Sequence, residues 1–347
     1  MGDMQYRKLG RSGAVVSAVC LGTMTFGREA DEDGSRQQMD QFVAAGGTFI
    51  DTADVYAGTE SESIVGRWLA DQPAGIRDQM VVATKGRFPT GDGPNDLGLS
   101  RRHLSTALDA SLRRLQVETI DLYQVHAWDP LTPVEETLRF LDDAVRAGKI
   151  RYAGLSNFTA WQLQRAVDLA EFRGWSVPVT LQPQYNLLVR ELEWEIVPAC
   201  EANGLGLLPW SPLGGGWLTG KYSADQRPTG ATRLGENPEL GVEAYSRRSN
   251  LERTWDVVDA VRSVAGGHGI SMAQVALAWL LAQPVVSSVI LGARTSEQLA
   301  DNLGAVDVHL DAEGLALLDR TSAPQTPDYP YGESGGKQRS RNIEGGR

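Results

Sequence analysis

The sequence predicts an α/β protein, a (β/α)8 TIM barrel with an N-terminal β-hairpin and a long loop after strand seven. Three observations lead there. Short β-rich runs alternate with helix-length amphipathic stretches along the chain. That alternation implies right-handed βαβ units and a parallel sheet. The units number eight, which favours closure into a barrel over an open, doubly wound sheet. The 347 residues, 41% of them hydrophobic, are enough for one large core.

In chain order, residues 5–10 and 14–16, around Ser12-Gly13, read as a hairpin placed to plug the barrel bottom. The barrel strands are expected at 19–22, 48–51, 80–85, 120–126, 150–156, 179–183, 205–210 and 285–291. The helices between them are expected at 35–45, 60–70, 100–115, 133–147, 160–173 and 192–203, with a pair at 251–265 and 271–282 before the last strand and one at 296–303 after it. Residues 223–248 are polar and rich in glycine and proline. They are too long for an ordinary connection, so a functional loop is expected. Residues 1–332 make the barrel domain, and 333–347 read as a disordered tail.

The chain carries 33 basic and 44 acidic residues, a net charge of −11. That argues against nucleic acid or an anionic membrane as partner, while leaving room for a local basic pocket that takes a phosphate. Cys20 and Cys200 are far apart and read as buried thiols of a reducing compartment, not as a disulfide. The N-terminal MGDMQYRKLG lacks the apolar core of a signal peptide, and no apolar run is long enough to span a membrane. A cytoplasmic protein is expected, with no metal site, a small-molecule partner, and oligomerisation left open.

Barrel enzymes carry their chemistry at the C-terminal ends of the strands. Here strand two ends in Asp51, with Tyr56 in the following loop, strand three in Lys85 and strand four in His126. Taken singly, an acid or lysine after a strand is usually a solvated cap, and a lone histidine is usually structural. Four such groups at one rim are harder to dismiss. A free phenol has a pKa near ~10, and a cation within hydrogen-bonding reach lowers it. Lys85 can supply that cation, and Asp51 can keep the buried ammonium charged. A neutral His126 can donate to a substrate oxygen. The set can hand a proton to an oxygen gaining negative charge, as carbonyl reduction by hydride transfer requires.

The segments FIDTADVYAGTESESIVG, VVATK, DLYQVH, GLSNF and WSPLGGGWLTGKY resemble the aldo-keto reductase superfamily, from Tyr6 to about Thr321. Within it, the WSPL and LGA…EQL segments resemble the branch of voltage-gated potassium-channel β subunits and their bacterial relatives. The resemblance implies a barrel that binds a nicotinamide cofactor, usually NADPH, without a Rossmann fold. It implies Asp51, Tyr56, Lys85 and His126 as the catalytic tetrad, with Tyr56 as general acid. It carries over Ser156, Asn157 and Gln182 as holding the nicotinamide carboxamide, with Trp210 stacking on the ring. Thr23, Met24 and Asp51 are implied beside them. Ser211, Pro212, Leu213, Gly214 and Gly215 would approach the pyrophosphate, with Lys221 and Arg233 as phosphate partners. Gly292 and Arg294 would meet the adenosine 2′-phosphate, and Gln298, Asp301 and Asn302 the adenine. Asp301 stands where glutamate is common, and Arg294 where the channel subunits have a smaller residue. Met24, Phe26, Val55, Phe88 and Trp128 are candidates for the substrate pocket. Their aromatic character suits a bulky or ring-shaped carbonyl. The leading reading is an NADPH-dependent reductase of an aldehyde or ketone. The alternatives are an NADP-dependent alcohol dehydrogenase working in the oxidative direction, a cofactor-binding regulatory module like the channel subunits, and an inactive barrel.

Overall fold

The computed structural model describes residues 4–339 apart from 225, 231 and 240. Strands β1 (Tyr6–Lys8) and β2 (Val15–Ser17) form the expected antiparallel hairpin. Eight more follow: β3 (Val19–Gly22), β4 (Phe49–Asp51), β5 (Val81–Gly86), β6 (Ile120–Val125), β7 (Ile150–Ser156), β8 (Thr180–Gln182), β9 (Gly206–Leu207) and β10 (Val289–Leu291). They form one all-parallel sheet in the order β10-β3-β4-β5-β6-β7-β8-β9. The last strand therefore lies against the first. The gap between β9 and β10 is bridged by Leu207, which pairs in parallel with Val286 and donates to the Val285 carbonyl at 2.8 Å. The Ile290 amide adds a second hydrogen bond across the same seam, donating to the Pro209 carbonyl at 3.1 Å. The sheet thus curls into the expected barrel.

Side chains alternate across each strand, so every second residue points inward. Phe49 and Asp51 share the inner side of β4, Ala83 and Lys85 that of β5, and Leu122 and Gln124 that of β6. The lower inner layer is apolar: Cys20, Phe49, Ala83 and Leu122 cluster with Val179 and Leu208. Leu9 and Val16 of the hairpin join that cluster, and both are fully buried, so the hairpin stoppers the barrel from below. The upper layer is polar, and there the registers set Lys85 beside Gln124 and Ser156 beside Gln182. A larger, outer core lies between strands and helices and includes Ile50, Trp68, Leu104, Tyr123 and Leu141.

The main helices fall where the pattern placed them, with shifted ends. The helix expected at 35–45 runs Glu32–Ala44, because the Asp31 side chain caps it by accepting from the Gly34 amide. The segment 192–203 divides into a 3-10 turn, Glu191–Trp194, and a helix, Ile196–Asn203. The last two strands are much shorter than the runs 205–210 and 285–291, since Trp210 and Val286 make only isolated bridges. The long loop is not featureless: it holds the short helices Arg233–Glu236 and Tyr245–Arg248. A further helix, Ala312–Ser322, follows the barrel. Of the segment read as a disordered tail, Glu333–Arg339 forms a helix, and residues 340–347 lie outside the described part.

Candidate active site

The four groups at the strand ends come together at the upper rim. Lys85 is fully buried, and its ammonium spends all three donors: on Asp51 Oδ2 at 2.6 Å, the Thr52 carbonyl at 2.7 Å and the Tyr56 hydroxyl at 3.2 Å. Burial opposes the lysine's charge. The charges and hydrogen bonds of Asp51 and Tyr56 outweigh it and hold the ammonium above its ordinary pKa. Asp51 cannot rotate, because its other oxygen accepts from Gln182 Nε2 at 2.9 Å and Gln124 Nε2 at 3.1 Å.

Tyr56 follows β4 in a tight 3-10 turn, Tyr56–Thr59, in which Ala57 and Gly58 take positive φ. Its ring lies edge-on to His126 with centroids 5.9 Å apart. Its phenol departs from the expectation of a lowered pKa. Desolvation at the hydroxyl raises it, Lys85 lowers it, and Asp51 raises it again; the net direction is upward. The residue as a whole is only partly covered, yet burial at the hydroxyl outweighs the cation. Tyr56 is thus a phenol, a donor, at neutral pH. His126 is driven the other way: burial, then Lys85 and Arg87, hold it well below its ordinary value, so the ring is neutral. Its Nδ1 is buried without a hydrogen-bond partner.

A chain of hydrogen bonds runs on from this cluster. Gln182 receives the Ser156 hydroxyl on its carbonyl at 2.9 Å. Asn157 donates to the His126 carbonyl at 2.9 Å and accepts from Trp210 Nε1 at 3.0 Å. Asn157 and Ser211 both adopt left-handed backbone, at φ 54° and 53°. Such strain in non-glycine residues, ~1–3 kcal/mol each, gathers at functional sites.

These residues line one cleft of about 470 Å³. It runs from Tyr56, His126, Met24, Val55 and Phe88 past Thr23, Asp51, Ser156, Asn157, Gln182 and Trp210 to Ser211, Pro212, Leu213 and Gly215, and on to Lys221, Arg233, Gly292, Arg294 and Gln298. Thr25, Thr219, Tyr222, Val242 and Glu243 also line it, although the motifs did not single them out. Lys85 lies beneath the floor. Gly214, Asp301 and Asn302 lie outside the lining: Asp301 accepts from Ser271 at 2.9 Å, and Asn302 reaches the Gly292 carbonyl at 3.3 Å. Gly214, Gly215 and Gly216 all need positive φ, which accounts for the triple glycine by backbone shape. Two substrate candidates are elsewhere. Phe26 is wholly buried in the outer core, and Trp128 packs edge-on against Phe158 and Trp161. Arg294 pairs with Glu236 of the long loop at 2.6 Å.

A larger hollow, about 670 Å³, lies at the opposite end of the barrel around Arg7 and Gly206. Its chief cation is already committed, since Arg7 is bound to the Leu281 and Val286 carbonyls at 2.7 and 3.0 Å. Asp51, Tyr56 and His126 line the upper cleft and not this hollow. The shape of the cleft suits a long dinucleotide: polar amide-bearing groups at the deep end, glycine turns in the middle, three cations along the far half.

Gln124 was missed in the sequence. The signal for it was parity, since it stands two residues before His126 on the same inner face of β6. Residues 18–323 match the aldo/keto reductase family. An uncharacterized oxidoreductase of Bacillus subtilis, YrpG, is 41% identical over 91% of this chain and 95% of its own length. A probable voltage-gated potassium channel subunit beta of rice, Oryza sativa, is 38% identical over 88% and 92%. A versiconal hemiacetal acetate reductase of Aspergillus parasiticus is 35% identical over 93% and 98%.

Proposed function

Because the chain belongs to the aldo/keto reductase family, we propose that it reduces an aldehyde or ketone to the alcohol, with NADPH as cofactor and Tyr56 as proton donor. The single observation that carries this reading is the buried Lys85, bonded at once to Asp51 and to the Tyr56 hydroxyl. The bound dinucleotide supplies hydride. The residues of this chain supply the rest. Neutral His126 and the Tyr56 phenol converge on one spot at the cleft floor, where a substrate oxygen can accept from both. As negative charge grows on that oxygen, Tyr56 releases its proton, and the Lys85 ammonium stabilises the phenolate left behind. Asp51, clamped by Gln124 and Gln182, keeps Lys85 charged and aimed.

Lys221, Arg233 and Arg294 line the far half of the cleft and suit the phosphates of NADPH, with Arg294 the candidate for the 2′-phosphate. The apolar mouth of Met24, Val55, Phe88 and Val242 suits a bulky or ring-shaped carbonyl. Tyr56→Phe should bind cofactor as wild type does, measured by quenching of tryptophan fluorescence. Its turnover of a ketone or aldehyde panel should fall by roughly 10²–10⁴-fold, the usual worth of a positioned general acid. Near-normal reduction by this variant would refute Tyr56 as the donor.

A further inference from the structure

Behind the tetrad, on the outer side of the barrel wall, lies a polar group that the mechanism above does not use. Asp54 follows β4 by three residues, and its amide donates to the Lys85 carbonyl at 3.1 Å. Its side chain is completely buried, and neither carboxyl oxygen has a well-formed hydrogen bond. The hydroxyl of Tyr123, on the outer face of β6, is likewise buried and unpartnered. The two are neighbours across Gly86: a Cβ there would collide with the Tyr123 hydroxyl and touch Asp54 Oδ2 at 3.4 Å. Glycine at this position leaves room for the pair.

Charged groups face Asp54 from each element packed around it. Glu62, from the helix Glu60–Asp71, is fully buried and takes the Thr84 hydroxyl at 2.5 Å. Arg114, from the helix Arg101–Leu115, binds Glu62 at 2.6 Å. Lys85 stands on β5, and Tyr56 lies in the turn just after Asp54. Burial first, and the charge of Glu62 second, push the Asp54 carboxyl up to about 7, against the pull of Arg114 and Lys85. The Val55 amide is the smallest influence. Asp54 in turn works against ionisation of both Tyr56 and Tyr123.

We propose that Asp54 is a positioning residue for the Tyr56–Lys85 pair, acting through the charge it holds behind the pair and never through contact with substrate. The inference rests on the reading of Tyr56 as proton donor. When Asp54 carries its proton, Tyr56 feels Lys85 and Asp51 alone. When Asp54 ionises above neutral pH, its negative charge opposes the phenolate and keeps Tyr56 protonated. The residue therefore extends the range over which Tyr56 remains an acid.

The test is the pH profile of carbonyl reduction by Asp54→Asn, with excess reduced cofactor. Below about pH 6 the variant and wild type should show the same dependence, because both are uncharged at this position. At alkaline pH the falling limb should move to lower pH by about one unit, roughly a tenfold loss on that limb, the size of one charge acting over several ångströms. Asp54→Glu should restore the limb. Carbon-detected NMR of the aspartate carboxyls gives a readout independent of activity: one signal should titrate near neutrality in wild type and vanish in Asp54→Asn. A folded variant with an unmoved limb, or a wild type in which no aspartate titrates between about pH 5 and 9, would overturn the proposal. If Asp54→Asn does not fold, Asp54→Ser carries the same comparison. Failure of Tyr56→Phe to lose turnover sinks the reading of the donor instead, and leaves the carboxyl titration standing.

Discussion

At the scale of single residues, the site is organised around one buried ion pair. Lys85 and Asp51 are almost wholly removed from water, with side chains 0% and 3% exposed. Removing one partner of such a pair strands the other's charge, at a cost of about 3–5 kcal/mol. Lys85→Met should therefore lower stability by that amount in urea unfolding and abolish most turnover as well. The double variant Lys85→Met, Asp51→Asn should recover most of the stability and none of the turnover. Recovery of both would mean that Lys85 matters only as a structural charge. That Asp51, Lys85 and His126 would meet at one rim with Tyr56 was legible in the sequence, because three apolar strands run into ionisable groups and the phenol follows in the loop after the first of them. The direction of the Tyr56 shift was not. Sequence places a cation near a phenol, but how far the hydroxyl is desolvated depends on the packing of distant segments. The same holds for Phe26 and Trp128, whose aromatic character says nothing of which way they face.

At the scale of elements, the longer strands match their expected runs best: β7 coincides with 150–156, and the ends of β5 and β6 differ by one residue at most. β5 and β6 hold their polar ends in register because their inner residues are apolar lower down. The short strands β9 and β10 were overextended, since an apolar run does not show how many of its residues find ladder partners. The segment 223–248 had no period to read. It is held by tertiary contacts: Glu243 pairs with Arg248 at 2.9 Å and accepts from Gln184, and Tyr245 stacks on Trp217 at 5.6 Å. One contact of this segment bears on cofactor choice. Glu236 places a carboxylate on Arg294, where a 2′-phosphate would compete with it. The pair is partly exposed, so it contributes at most about 1 kcal/mol. Glu236→Gln should then bind NADPH more tightly, by up to about fivefold, with NADH almost unaffected. Equal gains for both cofactors in fluorescence titrations would show that Glu236 shapes the segment and does not compete with phosphate.

At the scale of the whole molecule, the barrel carries a buried acid that works against folding. Asp54 has an ordinary value of 3.8 and is pushed up to about 7 in the fold. Between those values the folded protein binds more protons than the unfolded chain, so stability falls as pH rises through that window. Above it the full penalty applies, on the order of a few kcal/mol. Asp54→Asn lacks this penalty. Its stability relative to wild type should improve steadily from about pH 4 to pH 7 and then level off, as read by urea unfolding at each pH. A difference independent of pH would show that Asp54 is already ionised in the folded state. The closing seam has a further consequence. β10 is the strand that joins β3 to the β9 side, and it is made last. While the chain is being synthesised, β3 and β9 are therefore two open edges with unpaired backbone groups until residue 291 has left the ribosome. At translation speeds of about 5–20 residues per second, the stretch from β9 to β10 takes on the order of ten seconds to make. Until then the nascent barrel is a sheet with two edges competent to pair, and whatever shields them acts in that interval.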